Sequence, residues 1–537
     1  MRIEVAHEEG RRVTLIIQLL VLIVLAIYAR AGAVALKRPI SDFYVAGRLV
    51  PAMFNGMAIA ACFIAVLAYA GLAGVLSERW EGCASLLLGG AAGVVLIALV
   101  LAPYLRKFGG YTVPDFLGER FGGTAVRPLT VLAIILCSFP ALALTILAVG
   151  LIAMRVFAID AGTGITFSVA MLLFCTFPGG MRSAGRAQVA QYVVLLGASI
   201  AALLILLWQH GATVPSLDAI GFDEAVSTFR LKPFAAEDPA NRFALVFCLA
   251  AGVASLPHLL MRGLTTPSVE GARTSFLLAL PFTAVLCLTA PAYLPLFGQA
   301  PVSPDPEAMV LFGLLASGGI AACLALGSGL VLAIANGLSY DIYYKSLHHT
   351  APTERRLLAA RAALVLVAAL AATAALAVPE AMLTMTGAAF SLAASALLPA
   401  LLLGIWWKRA TGEGALAGMI VGLGVCLYYM LAPRYIPFAF YETSSFLSNA
   451  TDDQAAAYTA LRQSYYLTDP GARDAALAAW EETARGVANW WGISRAFAAV
   501  FAVPIGFLVT IGASLFTAAP SADVQSFVEE LRKPASA

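Results

Sequence analysis

The sequence predicts an all-α membrane protein that crosses the bilayer many times. Hydrophobic residues make up 61% of the 537 residues and charged residues only 12%, whereas a typical soluble domain carries about 25% charged residues. Apolar runs of about 20 residues, the length a helix needs to cross a bilayer, recur along the chain. This composition excludes a soluble globular protein, and the net charge of +2 gives no reason to expect nucleic-acid binding.

About thirteen apolar runs qualify as candidate transmembrane helices. In chain order they are Val13–Ala29, Pro51–Leu76, Ala84–Leu105, Pro128–Phe157, Thr163–Phe177, Gln188–Trp208, Phe243–Met261, Ser275–Leu296, Val310–Ile342, Leu357–Val378, Ala381–Trp407, Ala415–Leu431 and Ile493–Phe516. A signal peptide is the alternative for the first run, because Ala29-Arg30-Ala31 offers a small-residue cleavage pattern. A retained helix is favoured, since no exported soluble domain follows it.

The distribution of positive charge predicts the orientation. With the N-terminus outside, most of the 33 Lys and Arg residues fall in cytoplasmic loops, and the short outer loops hold only Arg79 and Arg155. Short loops rich in Lys and Arg stay in the cytoplasm. The count predicts that the N-terminus lies outside and the C-terminus in the cytoplasm. We expect a multi-pass protein embedded in the lipid bilayer of a bacterial-type inner (plasma) membrane.

The seventh span is interrupted in the middle. It carries Gly252 and Pro257 within an otherwise apolar run, and proline removes a backbone donor and clashes with the preceding turn. Freed backbone groups at membrane depth are tolerated where protein or a wet cavity satisfies them. Two interpretations stay open at this point: a simple proline kink, or a broken helix that offers main-chain groups to a solute.

No feature of the loops or of the reactive side chains points to an enzyme. The long connections Gln209–Asn241 and Ala432–Trp491 are too short for a catalytic domain, and the second predicts two surface helices around Asp452–Tyr466 and Ala475–Asn489. The eight cysteines are scattered through apolar runs without CxxC spacing, which is typical of buried hydrophobic residues. We expect no cofactor and no metal site other than one for a transported cation.

Seven motifs in order along the chain resemble the sodium:solute symporter family. They are Ser41–Arg48 (SDFYVAGR), Gly109–Phe116 (GGYTVPDF), Phe177–Arg182 (FPGGMR), Leu256–Arg262 (LPHLLMR), Leu338–Tyr343 (LSYDIY), Gly404–Arg409 (GIWWKR) and Val524–Leu531 (VQSFVEEL). The fourth, fifth and seventh are especially similar to the acetate-permease branch (cation/acetate symporters).

The resemblance implies a five-plus-five inverted repeat of the leucine-transporter type. Within a single transporter domain spanning 1–537, it places the first repeat at 51–209 and the second at 243–407. The additional parts are a first helix at 13–29, C-terminal helices within 415–516 and an outer loop at 432–491. Each repeat of this fold begins with a discontinuous helix. The resemblance therefore favours the broken-helix interpretation of the seventh span and implies a second break near Ala61–Ile64.

The resemblance also implies a cation site between the second and ninth spans. It places main-chain carbonyl ligands at Ala61, Ile64 and Ala322, and it places Ala325 and Leu326 where the family has two hydroxyl ligands. Ser328 lies three residues beyond Ala325, about 4.5 Å along a helix. Three explanations stay open: weak sodium binding with water in place of the hydroxyls, coupling to protons, or uncoupled transport.

Two charged or titratable residues follow the break in the seventh span. His258 is the candidate proton carrier, because ionisable groups inside the membrane are functional suspects, although it also fits a bond to a neighbouring carbonyl. Arg262 is expected at the inner membrane interface, where it would set topology or contact phospholipid.

For the substrate, the resemblance implies a small monocarboxylate such as acetate, carried in symport with sodium. The candidate binding residues are Gly252, Ser255 and His258, with Ala68 and Tyr69 facing them from the second span. Half-helix N-termini can hold such an anion without a buried Lys or Arg. The alternatives are a proton-coupled or uncoupled transporter of another small organic solute, a transporter-like membrane sensor, or a channel. The resemblance also leaves room for a small membrane subunit as partner.

Overall fold

The computed structural model describes most of the chain. The described residues are 15, 18–19, 21–28, 30, 39–70, 81–122, 124–209, 239–297, 306–377, 379–443, 451–465, 469–483 and 490–533. Within these ranges every element is helical.

Twenty α-helices follow one another in the described part of the chain. They are α1 (Ile40–Val45), α2 (Ala52–Ala70), α3 (Glu81–Leu96), α4 (Ala102–Phe108), α5 (Val113–Phe121), α6 (Val126–Phe157), α7 (Ala161–Thr176), α8 (Met181–Gln209), α9 (Pro239–Ser255), α10 (Pro257–Gly263), α11 (Val269–Phe297), α12 (Pro306–Asn336), α13 (Thr353–Ala377), α14 (Pro379–Trp406), α15 (Gly412–Tyr435), α16 (Pro437–Thr443), α17 (Asp452–Tyr465), α18 (Pro470–Thr483), α19 (Ala499–Phe516) and α20 (Ala522–Arg532). π-Helical segments at Ile97–Leu101 and Gly337–Leu347 join α3 to α4 and extend α12.

The apolar helices confirm a multi-pass membrane protein. Nine of the described helices are long and apolar enough to cross a membrane, and counting each of two bent pairs as one span gives eleven. Helix α7 is apolar but shorter, with 16 residues, and the first predicted span is described only in part, with helical residues at 15, 18–19 and 21–28. The count of thirteen therefore stays a prediction.

Small residues let the central helices approach closely. A Cβ atom added at Gly89 or Gly93 of α3 would lie within 3 Å of Leu249 or Val253 of α9. On another face of α9, a Cβ atom at Gly252 would lie 2.6 Å from the Cβ of Phe390 in α14. Helices in a bilayer gain little from hydrophobic association and rely on such close packing. Helix α9 is therefore held tightly between α3 and α14.

The long outer connection contains the two surface helices that the sequence predicts. Helix α17 has nearly the predicted bounds, whereas α18 begins earlier than expected because Pro470 opens it, a position that favours proline. Trp480 of α18 is only 1% exposed and packs on Tyr441 and Tyr458. The tryptophan thus forms a small aromatic core in which the outer helices pack on α16.

Candidate functional site

The seventh span breaks at Leu256. Helix α9 ends at Ser255, α10 begins at Pro257, and the two meet at a bend of 52°. Leu256 has extended backbone angles (φ −65°, ψ 117°), as expected for a residue that precedes proline. The break in the helix is confirmed, and its role of offering main-chain groups to a solute stays a prediction. Helix α10 has only seven residues. The partial positive charge at its N-terminus is therefore not sufficient to support the predicted anion site.

A buried asparagine fastens α10 to the start of α2. The Asn55 side chain, which is fully buried, donates from Nδ2 to the carbonyl of Arg262 at 3.0 Å. The hydroxyl of Thr265 donates to the same carbonyl at 2.8 Å and lies 3.4 Å from Oδ1 of Asn55. The amide of Val50 donates to the carbonyl of Thr265 at 3.1 Å. The second and seventh spans are therefore neighbours, as expected.

The expected break in the second span is not present. Helix α2 runs without interruption from Ala52 to Ala70 and so passes through Ala61–Ile64. The physical reason lies in the sequence of this stretch, which is rich in alanine and contains no proline or glycine after Gly56. The carbonyls of Ala61 and Ile64 therefore lie within a continuous helix. The interrupted backbone that the resemblance implied at these two cation ligands is not present. A sharp bend of 103° lies instead before α2, between the helical segment Ile40–Arg48 and α2.

The region around the predicted cation site brings α2, α8 and α12 together. The side chain of Gln188 in α8 donates from Nε2 to the carbonyl of Ala325 at 2.7 Å, and the Cys62 thiol lies 3.3 Å from the same oxygen. Ala325 is fully buried and Ala322 nearly so. Ser328 donates within its own helix to the carbonyl of Leu324 at 2.7 Å. The predicted meeting of the second and ninth spans is present, with the Gln188 amide on the carbonyl of Ala325.

The predicted substrate residues occupy different surroundings. Gly252 packs against Phe390, which accounts for the glycine through helix packing. Ser255 is fully buried and donates to the carbonyl of Ala251 at 2.7 Å within α9. The side chains of Ala68 and Tyr69 lie outside the described residues, so their predicted role stays a prediction. Of the predicted substrate residues whose side chains the structure describes, His258 alone lies on the α10 side of the break.

His258 and Arg262 form a buried basic pair on α10. They are four residues apart and so lie on one helix face; His258 is 2% exposed and Arg262 is 1% exposed. Neither ring nitrogen of His258, and neither Nη1 nor Nη2 of Arg262, has a hydrogen-bond partner among the described residues. The expected contact of Arg262 with phospholipid is contradicted, because its side chain is buried within the bundle, whereas its depth at the inner interface stays a prediction.

Four of the sequence motifs meet at one end of the bundle, which the positive-charge count assigns to the cytoplasm. Asp42 pairs with Arg182 at 2.9 Å, and Gly47, at φ +65°, lies so close that a Cβ atom would be 2.5 Å from the Asp42 carboxylate. Arg48 donates to the carbonyls of Gly109 and Gly110.

A second group of charges ties α5, α6 and the extension of α12 together at the same end. Arg127 contacts Asp115 at 3.3 Å, Glu119 at 3.2 Å and the fully buried Asp341 at 3.6 Å. Lys345 contacts Glu119 at 3.1 Å. Burial raises the pKa of Glu119, but the hydrogen bonds and charges of Lys345 and Arg127 hold the pKa below its usual value. These charged contacts therefore hold the motifs together at one end of the bundle.

Comparison with known proteins decides the family. The family model described as "Sodium:solute symporter family" matches residues 43–310 and 307–422. An uncharacterized symporter of Cupriavidus necator is 30% identical, over 95% of this chain and 93% of the relative. The chain belongs to the sodium:solute symporter family. A second uncharacterized symporter, YwcA of Bacillus subtilis, is 26% identical over 71% of this chain and 79% of the relative.

A solved structure supports the fold of this symporter. The substrate-bound, outward-open state of a Na⁺-coupled sialic acid symporter superposes with a TM-score of 0.66. It covers 94% of this chain and 98% of that chain at 15% identity. At this identity the likeness concerns the fold alone, and it confirms the leucine-transporter type that the motifs imply.

Sequence reasoning missed two residues that organise this site of the symporter. Asn55 anchors α10, and Gln188 holds the carbonyl of Ala325. The available signal was the same for both, namely a polar side chain within an apolar run, where polar groups bond between helices.

Ser391 and Ser395 share a helix face. Their hydroxyls donate to the main-chain carbonyls of Ala496 and Ser391, respectively. Their contacts are those of helix packing.

Proposed function

We propose that this protein is a sodium-coupled symporter of a small monocarboxylate such as acetate. Membership of the family supports symport of a solute with a cation. The single observation that carries the site is the break at Leu256, after which α10 packs against the start of α2. The motif that forms this break, Leu256–Arg262, is also one of the three that are especially similar to the acetate-permease branch.

The cation is cargo, and no cofactor is needed for this function. In the proposal, sodium binds near Ala322 and Ala325, where α2, α8 and α12 meet. Because sodium prefers several oxygen ligands, the missing hydroxyls at Ala325 and Leu326 make this a weaker site, completed by carbonyls and water. The amide oxygen of Gln188, which has no hydrogen-bond partner among the described residues, is an additional oxygen at this place.

Sodium-independent transport is a second candidate, favoured by the same stretch. Ala325 and Leu326 supply no hydroxyl, and the carbonyl of Ala325 already accepts from Gln188. Proton coupling through His258 is the less favoured form of this candidate. A guanidinium one turn away, on the same helix face, disfavours a second positive charge on the imidazole.

Uptake into proteoliposomes separates the two candidates. Radiolabelled acetate and pyruvate are presented with an inward sodium gradient at equal pH, and with a pH gradient in choline buffer. We expect accumulation above equilibrium only with the sodium gradient, and its loss when gramicidin dissipates that gradient. Accumulation that follows the pH gradient without sodium would favour the second candidate, and no uptake of any small acid would contradict the monocarboxylate.

A pair of buried glutamines supplies a matched variant for this assay. Gln188→Met removes the donor to Ala325, whereas Gln191→Met alters a glutamine of equal burial on the same helix that has only a weak contact to Cys175, at 3.9 Å. We expect Gln188→Met to change the half-saturating sodium concentration by a factor of about 2 to 10, corresponding to one net hydrogen bond. Gln191→Met should leave it unchanged, and an equal response of both variants would argue against sodium at Ala325.

We also propose that the N-terminus lies outside and the C-terminus in the cytoplasm of a bacterial-type inner membrane. The Lys and Arg count supports this orientation. A fluorescent protein fused after residue 537 should therefore fluoresce in bacteria, whereas an alkaline phosphatase fusion at the same place should be inactive. The reverse pattern would invert the topology.

A further inference from the structure

We propose that Arg262 is the receptor for the carboxylate of the transported solute. The inference rests on the proposed function and names the group that holds the substrate's charge. Arg262 is 1% exposed, and its Nη1 and Nη2 atoms have no hydrogen-bond partner among the described residues. Among the described residues, no acidic side chain forms an ion pair with Arg262, whereas Arg127 and Arg182 both have acidic partners.

The physical case begins with the cost of the charge. An ion taken out of water without a partner costs several kcal/mol, so a buried guanidinium needs an anion to compensate it. The guanidinium offers a planar fork of N–H donors that matches a carboxylate with two parallel hydrogen bonds. A small monocarboxylate supplies the missing charge and the missing acceptors together. A phospholipid headgroup is excluded for this side chain by its burial.

Glycines of two neighbouring helices face the buried pair, and hydrogen bonds hold its backbone in place. Nη1 of Arg262 faces Gly185 of α8, where a Cβ atom would lie 3.4 Å away. The ring of His258 faces Gly329 of α12, where a Cβ atom would lie 3.4–3.5 Å from the side chain. The carbonyl of Arg262 accepts from Asn55 and Thr265. Glycines thus face both side chains, while the backbone that carries them is fixed to α2.

Charge also links this receptor to the proposed cation site. Nη1 of Arg262 faces Gly185 of α8, and Gln188, three residues further along the same helix, donates to the carbonyl of Ala325. A lone positive charge at Arg262 repels a sodium ion bound there, and a carboxylate on Arg262 cancels this repulsion. Each of the two ligands therefore favours binding of the other, as linkage requires.

The test is binding of labelled acetate to the purified full-length protein in sodium buffer, with acetamide as the neutral analogue. Arg262→Gln removes the charge, Arg262→Lys keeps the charge without the fork, and Arg273→Gln is the matched control at an exposed position. We expect Arg262→Gln to weaken acetate binding about 10- to 100-fold, as for a lost charge-assisted bond. It should also abolish the preference for acetate over acetamide. Arg262→Lys should be intermediate and Arg273→Gln unchanged.

The outcomes separate this inference from the proposed function. If the wild type binds acetate and both Arg262 variants bind it equally well, the inference is overturned and the monocarboxylate function stands. If the wild type binds no monocarboxylate but binds inorganic phosphate or nitrate in a manner that needs Arg262, the carboxylate assignment fails together with the proposed function. If no anion of this panel binds the wild type, the inference is also overturned. Should Arg262→Gln fail to fold, the Lys variant and its acetate-to-acetamide ratio decide.

Discussion

Replacing Asn55 by alanine should loosen α10 from α2 without disturbing the rest of the bundle. The side chain is fully buried and makes one hydrogen bond of 3.0 Å to the carbonyl of Arg262 and one longer contact of 3.4 Å with the hydroxyl of Thr265. Both bonds cross between the two helices that form the candidate site. Their loss therefore acts on the docking of α10.

The magnitude follows from what remains after the substitution. The carbonyl of Arg262 keeps its bonds from the amide and the hydroxyl of Thr265, at 3.2 and 2.8 Å. Because no buried partner is left unsatisfied, the cost is that of about two net hydrogen bonds, roughly 1–2 kcal/mol. This corresponds to a factor of about 5 to 30 in a local equilibrium.

Hydrogen exchange measured by mass spectrometry reads this local equilibrium. In Asn55→Ala, amides of a peptide covering 258–265 should exchange about 5 to 30 times faster, while a peptide from α19 stays unchanged. The matched control is Ser317→Ala, because this buried hydroxyl bonds only within its own helix, to the carbonyl of Gly313 at 2.9 Å. A change below about twofold at 258–265, or an equal effect of Ser317→Ala, would refute the anchoring role.

Three further substitutions test packing and charge through thermal unfolding in detergent. Gly252→Ala should destabilise the folded protein by about 1–3 kcal/mol through overpacking against α14. The control Gly424→Ala, with nothing within 4 Å of the added methyl group, should be neutral or slightly stabilising. Equal effects of the two variants would contradict the close contact at Gly252. Arg127→Met should lower the free energy of unfolding by about 3–5 kcal/mol, because it leaves the buried Asp341 without its ion-pair partner. Adding Asp341→Asn should recover much of this loss. An Arg127→Met variant as stable as the wild type would contradict the ion pair. The pKa of Glu119 is depressed, so its contribution is present above its ordinary pKa of about 4.3 and is lost as pH falls through the folded value. Glu119→Gln should therefore flatten the acid limb of the stability curve by less than about 1 kcal/mol, since half of the side chain is exposed; an unchanged limb would argue against the depressed pKa.

Much of the fold could be predicted from the sequence because the bilayer constrains it strongly. Apolar runs report spans directly, and Pro257 reports a local backbone defect that depends only on its neighbours. The break at Leu256 was accessible for this reason. The break expected in the second span came from resemblance alone, and the alanine-rich helix through Ala61 shows how such an expectation fails where the local sequence does not support it.

The candidate site was less predictable because it depends on which helix faces meet. Arg262 follows the 52° bend at Leu256 and is buried among the neighbouring helices, whereas the sequence favoured a contact with phospholipid. The contact between Gln188 and the carbonyl of Ala325 joins residues 137 positions apart. Periodicity within one helix carries no information on such a pairing, which depends on tertiary packing.

A cryo-electron microscopy structure of the protein with bound acetate tests the central claim most directly. A matched map without acetate identifies the solute density, and an antibody fragment supplies the mass that a chain of 56.0 kDa needs for alignment. The account predicts solute density between α2 and α10, with the carboxylate on the guanidinium of Arg262 and a helix interrupted at Leu256. Density at another place, or a seventh span that runs unbroken past Pro257, would contradict it.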